Sequence, residues 1–369
     1  MTNSEEITIN LYNKYIVPNY GRFPIMPVKG DGSFLYDEDG TRYLDFTGGI
    51  AVNSLGHSNK IMLEALAEQS SQLIHCSNLY QPRIQGELAK VIVEEIVGFD
   101  GKCFFCNSGA EANEALIKVA RRFGEINPSS SGVARKEIIS FNGSFHGRTT
   151  GGMAATGQKK IRSGFGPLME GFKHVDFNDV TGLENAVSDN TAAILVEPIQ
   201  GEGGINVSNS DFLLRCQSIC NEKNILLLFD EVQCGIGRCG TLNGWQSIDG
   251  ADKIVPDAIS WAKGMGGGFP IGAIWLKSRN TGDGELSDLL GPGSHGSTFG
   301  GNPLAMASGL SMVNQIKKPS FLNSVSKKGK LFLNKLNANR SSSDRLAGDL
   351  LGGEDLKIEE AFTTKPDVL

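Results

Sequence analysis

The chain has 369 residues, of which 40% are hydrophobic and 21% are charged, and its formal net charge is −6. This composition is typical of a globular protein long enough for one large domain and a smaller one. Mild acidity gives no reason to expect nucleic acid or an anionic membrane as a partner. No apolar run is long enough to span a bilayer, and the polar first residues lack the features of a signal peptide. We therefore expect a cytoplasmic protein.

The cysteines agree with that location. There are seven of them, scattered through apolar or glycine-rich stretches, which favours reduced thiols over a disulfide framework. Cys103 and Cys106 form a Cys-x-x-Cys, but no second pair or histidine cluster stands near them to complete a zinc site. We interpret this segment as part of a buried strand and expect no metal ion.

The first part of the chain is rich in turns. The runs Phe34–Tyr36 and Tyr43–Phe46 flank the turn Asp37–Gly40, which predicts a β-hairpin. Apolar residues at helical spacing then predict one helix from Ile61 to about Ser71 and another from about Gln85 to Val97.

The middle of the chain alternates short apolar runs with helical patterns. The runs predict buried strands at Cys103–Cys106, Ile138–Phe141, Ala192–Val196, Ile225–Phe229, Ala258–Ala262 and Ala273–Leu276. Helical spacing lies between several of them, as at Ala112–Phe123 and Phe212–Asn221. Near-continuous apolar strands that alternate with helices predict an α/β fold with a mainly parallel sheet covered on both faces. In such sheets, ligands bind beyond the carboxyl ends of the strands.

The last part of the chain is less regular. We predict helices at Leu304–Ile316 and Phe321–Leu336. The following segment, Asn337–Asp344, is polar and serine-rich, and residues 345–369 show little periodicity. We predict no regular element in these last two segments.

Two charged residues stand where predicted strands end. Asp230 follows Ile225–Phe229, and Lys263 follows Ala258–Ala262 about one strand–helix–strand unit later. Adjacent strands would place the two side by side. Lysine at this position suits an amine that bonds covalently to a carbonyl cofactor, and a protonated pyridine nitrogen would pair with the carboxylate. A surface lysine at a turn and an aspartate bonded to backbone amides are the simpler alternatives.

Two further strand ends carry residues that suit the same kind of ligand. Ser108 and Glu111 match a capping box, and the small residues between them leave first-turn N–H groups open to an anion. After another strand, Phe145 could cover a flat ring and Arg148 offers a fork for a carboxylate. A plain capped helix and an ordinary loop are the alternatives. Together, the four strand ends supply the groups that a pyridoxal 5′-phosphate site needs.

At this point the sequence resembles the class III, fold type I pyridoxal-phosphate aminotransferases, and among them the acetylornithine aminotransferases. The resemblance runs in family order over about residues 20–315. The matching segments are Phe46–Val52, Cys106–Ala115, Ser144–Arg148, Val196–Gly204, Phe229–Arg238, the turn at Lys263 and His295–Pro303. It implies a large cofactor-binding domain at residues 61–310. A small α+β domain would combine residues 1–60 with a short, divergent segment at residues 311–369.

The resemblance also implies a role for individual residues. Lys263 would bond to the cofactor and later carry the proton, and Asp230 would pair with the pyridine nitrogen. The other residues implied to bind the cofactor are Ser108, Gly109, Ala110, Phe145, Val232, Gln233 and Thr298. Those implied to bind the substrate are Arg148, Ser297 and Glu202. Because Thr298 would reach the phosphate in the other subunit, the expected assembly is a homodimer with shared active sites.

The implied reaction moves the δ-amino group of N-acetylornithine to 2-oxoglutarate, in arginine biosynthesis. Another ω-amine, such as N-succinyl-diaminopimelate, ornithine or 4-aminobutyrate, is an alternative donor. The sequence departs from the family at Ala110, where many relatives have threonine. It also departs in the tail, where Arg345–Gly353 only resembles the family's Arg-Gly-x-Gly-Leu and no counterpart of a later substrate-binding arginine follows. A catalytically impaired protein that keeps the fold is therefore a third hypothesis.

Overall fold

The computed structural model describes the backbone of residues 3–350 and the side chains of residues 6–337. It divides into two compact units. The larger unit is Thr47–Ser326, and the smaller one combines the residues up to Phe46 with those from Lys327 onward. The domain division at residues 60 and 310 stays a prediction. The last segment of the tail, residues 351–369, lies outside the described residues.

The strands of the described part of the chain are short and fall into three sheets. They are β1 (Pro27–Asp31), β2 (Phe34–Asp37), β3 (Arg42–Leu44), β4 (Gly101–Cys106), β5 (Glu137–Phe141), β6 (Phe172–Val175), β7 (Thr191–Val196), β8 (Ile199–Gln200), β9 (Asn206–Val207), β10 (Leu226–Asp230), β11 (Ala258–Trp261) and β12 (Gly272–Lys277).

The helices differ widely in length. They are α1 (Asn3–Tyr15), α2 (Gly48–Ala51), α3 (Lys60–Ser70), α4 (Arg83–Val91), α5 (Gly109–Ile126), α6 (Thr150–Ala155), α7 (Lys159–Arg162), α8 (Val180–Ala186), α9 (Ser210–Lys223), α10 (Pro303–Ile316) and α11 (Pro319–Leu350). A π-helical turn extends α4 through Ile92–Val97, and 3₁₀ turns lie at Gly244–Ser247, Lys263–Met265 and Leu286–Asp288. Within the described backbone, no helix is both long and apolar enough to cross a membrane.

The smaller unit contains a three-stranded antiparallel sheet in the order β1-β2-β3. β2 and β3 form the hairpin predicted from the sequence, with Phe34 opposite Leu44. The prediction for the tail was wrong over residues 337–350, because α11 continues to Leu350. Serine and asparagine lower helix propensity by only a few tenths of a kcal/mol, and a helix that has already formed extends through such residues.

The larger unit is built on a seven-stranded sheet in the order β4-β12-β11-β10-β7-β5-β6. All six strands predicted from apolar runs are present. The sheet is mainly parallel, as predicted, with β12 antiparallel to both of its neighbours. The sequence did not reveal β6, an edge strand that is half-buried and carries Lys173 and His174 among its four residues. Such a strand lacks the continuous apolar run that marks a central one.

Both faces of this sheet are covered. Successive residues of β10 point to opposite faces, so Leu227 and Phe229 belong to one hydrophobic cluster and Leu226 and Leu228 to the other. Helix α5 packs within the second cluster, and α9 and α10 contribute to the first. A sheet buried on both sides leaves its strand ends as the place where polar side chains can meet.

The register of β10 and β11 positions the candidate site. The two strands are parallel, and Asp230 lies opposite Ser260. Lys263 comes three residues after Ser260, at the start of the 3₁₀ turn that follows the strand. The structure therefore places Asp230 and Lys263 at the carboxyl ends of neighbouring strands, as predicted.

Candidate active site

Asp230 ends β10 and is only 3% exposed. Its Oδ2 accepts a hydrogen bond of 2.6 Å from Asn113 Nδ2 and lies 2.8 Å from His146 Nδ1. Its Oδ1 accepts one of 3.0 Å from the backbone N–H of Val232. These donors replace much of the hydration that a buried carboxylate loses. The simpler alternative, an aspartate bonded to backbone amides, describes one of these three contacts.

Lys263 opens the turn after β11 with a left-handed backbone, at φ 43°. Its side chain is 19% exposed, and its Nζ lies 3.8 Å from Glu202 Oε1. Burial lowers the pKa of Lys263, and the smaller opposing effects come from Glu202, Asp230 and Glu197. The amine is thus uncharged more often than that of a lysine in water, which suits covalent reaction with a carbonyl.

Glu202 is held beside Lys263 by Gln233. Gln233 Nε2 donates a hydrogen bond of 2.8 Å to Glu202 Oε1, the oxygen that also faces Lys263. A Cβ at Gly201 would overlap the Gln233 side chain, so the glycine permits this contact. The structure therefore brings together three of the residues predicted for the site.

The turn before α5 has the features of an anion site. Ser108 caps the helix, and its Oγ accepts a hydrogen bond from the backbone N–H of Glu111. The second half of the predicted capping box was wrong, because the Glu111 carboxylate accepts from the backbone N–H of Asn107 rather than from that of Ser108. In an α-helix, the N–H groups of first-turn residues such as Gly109 and Ala110 have no carbonyl partner within the helix, and they favour an anion.

Two glycines make this turn compact. A Cβ at Gly109 would come within 2.6 Å of Val232 Cγ1, and one at Gly147 would come within 3.1 Å of Ala110 Cβ. Gly147 has φ 121°, which L side chains rarely adopt. The turn thus lies between two segments. One contains Val232, whose N–H bonds to Asp230, and the other is the loop that follows Phe145.

Phe145 is held through its backbone. Its N–H donates a hydrogen bond of 2.9 Å to Glu197 Oε2. Glu197 is buried, and this burial, reinforced by Asp230, raises the pKa of Glu197 well above its usual value. Arg148, three residues after Phe145, is exposed, with its Cζ 5.8 Å from the centre of the Phe145 ring. The guanidinium is therefore accessible to a ligand in solution.

Ser297 also lies beside the anion turn. Asn107 Nδ2 donates a hydrogen bond of 3.1 Å to Ser297 Oγ, and Asn78 Nδ2 donates one of 3.0 Å to the Ser297 carbonyl. Thr298, the next residue, is exposed. The roles of these two residues toward substrate and toward a second subunit stay predictions.

Four polar residues at this site had no role in the sequence analysis. They are Asn113, His146, Glu197 and Ser260, and all are buried. A signal for some of them existed, because a carboxylate at the end of a buried strand must find hydrogen-bond donors. Which residues act as donors depends on which segments the fold brings to that strand end.

The residues present fit pyridoxal 5′-phosphate. Lys263 supplies an amine whose pKa is lowered by burial, and Asp230 supplies a buried anion. The first turn of α5 supplies N–H groups for a phosphate. The close approach at Gly109 and Gly147 means that side chains there would fill the space around that turn.

Comparison with known proteins gives a consistent result. The family described as Aminotransferase class-III matches residues 15–352. The acetylornithine aminotransferase of Caldanaerobacter subterraneus subsp. tengcongensis is 49% identical over 324 residues, which are 88% of this chain and 78% of the relative.

Solved structures extend the comparison. An ornithine aminotransferase of Toxoplasma gondii, with partial occupancy of PLP at its active site, matches with a TM-score of 0.82 and 33% identity, covering 90% of this chain and 76% of that one. The N-acetylornithine aminotransferase of Stenotrophomonas maltophilia matches with a TM-score of 0.71 and 32% identity, covering 95% and 80%.

Proposed function

This chain belongs to the class-III aminotransferases, and we propose that it moves the δ-amino group of N-acetylornithine to 2-oxoglutarate. The products are N-acetylglutamate 5-semialdehyde and glutamate, and the reaction belongs to arginine biosynthesis. The observation that carries the proposal is the parallel pairing of β10 with β11, because Asp230 and Lys263 lie at the carboxyl ends of these two strands. The names of curated relatives that are 42–49% identical support the choice of substrate.

The cofactor is pyridoxal 5′-phosphate, which when bound supplies an aldehyde for amines and a ring that draws electrons from the amine-bearing carbon. Lys263 Nζ provides the protein's amine and, being uncharged more often than in water, can take and return a proton at that carbon. Asp230 holds negative charge for the ring nitrogen. Gln233 holds a second carboxylate, that of Glu202, near Lys263.

The remaining roles concern binding. The N–H groups of Gly109 and Ala110, behind the Ser108 cap, bind the phosphate. Phe145 covers the ring, and Val232 borders both Asp230 and the phosphate turn. We assign the substrate contacts to Arg148, Ser297 and Glu202. The exposed guanidinium of Arg148 suits the carboxylates of both substrates.

The working assembly we propose is a homodimer in which Thr298 reaches the other subunit's phosphate. Leu79, Tyr80 and Phe299 support this arrangement, because these apolar residues are 91%, 69% and 60% exposed. Asn78 ties the two segments together through the Gly300 carbonyl at 2.8 Å. An apolar surface beside a functional loop suits burial by a second copy. Sedimentation equilibrium should give twice the chain mass. A cytoplasmic location stays a prediction.

Ornithine is the second candidate donor. Solved ornithine aminotransferases share the fold at a TM-score near 0.8, with 33% identity. The acetyl group distinguishes the two amines, because it replaces the charged α-ammonium of ornithine with a neutral amide. A kcat/KM for N-acetylornithine that exceeds the value for ornithine would support the first candidate, and the reverse order would favour the second.

The experiment that tests the proposal follows the visible absorption spectrum of the purified protein with pyridoxal 5′-phosphate as N-acetylornithine is added. A cofactor band that shifts on addition of the amine would report the first half-reaction. Lys263→Ala should abolish turnover, whereas the exposed Lys253→Ala should leave it unchanged. A band that ignores every amine would instead support the catalytically impaired alternative, and turnover retained by Lys263→Ala would contradict the proposal.

A further inference from the structure

Asn113 lies in α5 with 2% of its surface exposed, and both its amide nitrogen and its amide oxygen are hydrogen-bonded. Its Nδ2 donates to Asp230 Oδ2 at 2.6 Å and to the His146 carbonyl at 3.0 Å. Its Oδ1 accepts a hydrogen bond of 2.7 Å from Ser260 Oγ. A flipped amide would turn its oxygen toward two other oxygens, so the network permits one orientation.

Ser260 holds Asn113 in that orientation. It lies in β11, directly opposite Asp230 in the parallel register, and is fully buried. Its hydroxyl contributes a hydrogen to Asn113 rather than to Asp230. The serine therefore reaches the carboxylate through a neighbouring side chain, and the chain of contacts runs from β11 through α5 to the end of β10.

The contacts divide the two oxygens of Asp230 between different uses. Oδ2 accepts from Asn113 Nδ2 and also faces His146 Nδ1, which donates to it in the tautomer that carries the ring hydrogen on Nδ1. Among the described residues, Oδ1 receives only the Val232 N–H. Since each carboxylate oxygen offers about two acceptor positions, Oδ2 is fully used and Oδ1 keeps one position.

We propose that Asn113, held in place by Ser260, is a positioning residue that commits Oδ2 of Asp230 to the protein and leaves Oδ1 for the ring nitrogen of the cofactor. This inference rests on the proposed function, since it explains how Asp230 is aligned for that nitrogen. Neither Asn113 nor Ser260 needs to touch the cofactor in this role. Their effect should therefore concern the ring nitrogen and not cofactor binding in general.

The test compares two ligands of the full-length protein after its cofactor has been removed. One is pyridoxal 5′-phosphate, and the other is its 1-deaza analogue, in which a C–H replaces the ring nitrogen. The measured quantity is the ratio of their dissociation constants, from equilibrium titration. A general structural defect weakens both ligands alike and leaves this ratio unchanged.

Ser260→Ala removes one oxygen and should reduce the preference for the nitrogen-bearing ligand by about three- to tenfold, the usual effect of one buried hydrogen bond. Ser140→Ala is the matched control, because Ser140 is also fully buried on a central strand but donates to the Ala155 carbonyl. The control should keep the wild-type ratio. The unfolding midpoint of each variant, measured alongside, identifies any variant that fails to fold.

A double-mutant cycle completes the test. Asn113→Ala should reduce the ratio further than Ser260→Ala does, and adding Ser260→Ala to it should change the ratio by less than about twofold, because the serine acts through the asparagine. A wild-type ratio in Ser260→Ala, or full additivity in the double variant, would overturn the inference. Wild-type protein that binds neither ligand would instead overturn the proposed function, so the two failures are distinguishable.

Discussion

Two neighbouring carboxylates at the end of β10 belong to different regions of the molecule. Asp230 meets side-chain donors from α5 and from the loop after β5. Glu231 meets the backbone N–H groups of Gly244 and Trp245, at 2.6 and 3.1 Å. The strand pleat sends successive side chains to opposite sides. One residue therefore serves the candidate site, and the other anchors a loop of the scaffold.

The environment of Glu231 also changes its pKa. Glu231 is almost completely buried, and this burial raises its pKa to about 7 despite its two backbone bonds. Trp245, held by Glu231, packs edge-on against Phe229 with ring centres 5.3 Å apart. Burial of an acid therefore does not by itself indicate catalysis. The surroundings of the acid decide whether it shapes chemistry or stability.

The largest expected effect concerns Asp230, the carboxylate at the candidate site. Asp230→Asn places an amide among donors and removes the anion meant for the ring nitrogen, so kcat should fall about 10²- to 10³-fold. Asp257→Asn is the control, because Asp257 is buried near the opposite end of the same strand pair, where it binds the Leu227 N–H and Arg279. It should lose stability and keep kcat. Steady-state kinetics with N-acetylornithine measure both, and equal losses of kcat would contradict the division.

The next effect concerns Glu231, whose contribution to stability depends on pH. Because the folded pKa of Glu231 lies above the unfolded value of 4.5, the folded protein binds more protons between about pH 4.5 and 7. The contribution of Glu231 to stability is therefore complete at low pH and is lost as the pH rises through this window. Relative to Glu231→Gln, the wild type should lose about 2–3 kcal/mol of unfolding free energy between pH 5 and 8. Urea unfolding at several pH values measures this difference, and parallel curves would refute it.

The smallest expected effect concerns Cys234, which touches both regions. Its thiol lies 3.8 Å from the Asp230 carbonyl oxygen and also contributes weakly to holding Glu231. Thiols are weak donors, so Cys234→Ala should change the unfolding free energy by less than about 1 kcal/mol and kcat by less than about twofold. Thermal unfolding and kinetics check both values. A large loss of kcat alone would show that the two regions are coupled.

Much of the fold could be predicted from the sequence. The apolar runs located β4, β5, β7, β10, β11 and β12, because a strand buried on both faces is continuously apolar wherever it lies in the sheet. The spacing of Asp230 and Lys263 indicated adjacent strand ends, and Ser108 indicated the start of α5. These are local signals, which depend on residues close together in the chain.

Other features were decided only by the tertiary structure. Asn113, His146 and Ser260 converge on Asp230 because the sheet order places α5, the end of β5 and β11 around β10, and that order is not written in any local pattern. The contrast between Asp230 and Glu231 likewise depends on what the two faces of the strand end meet. By itself, the sequence determined the six buried strands, the amine and the carboxylate. The fold decided their hydrogen-bond partners and charge environment, because these arise from contacts between residues far apart in the chain.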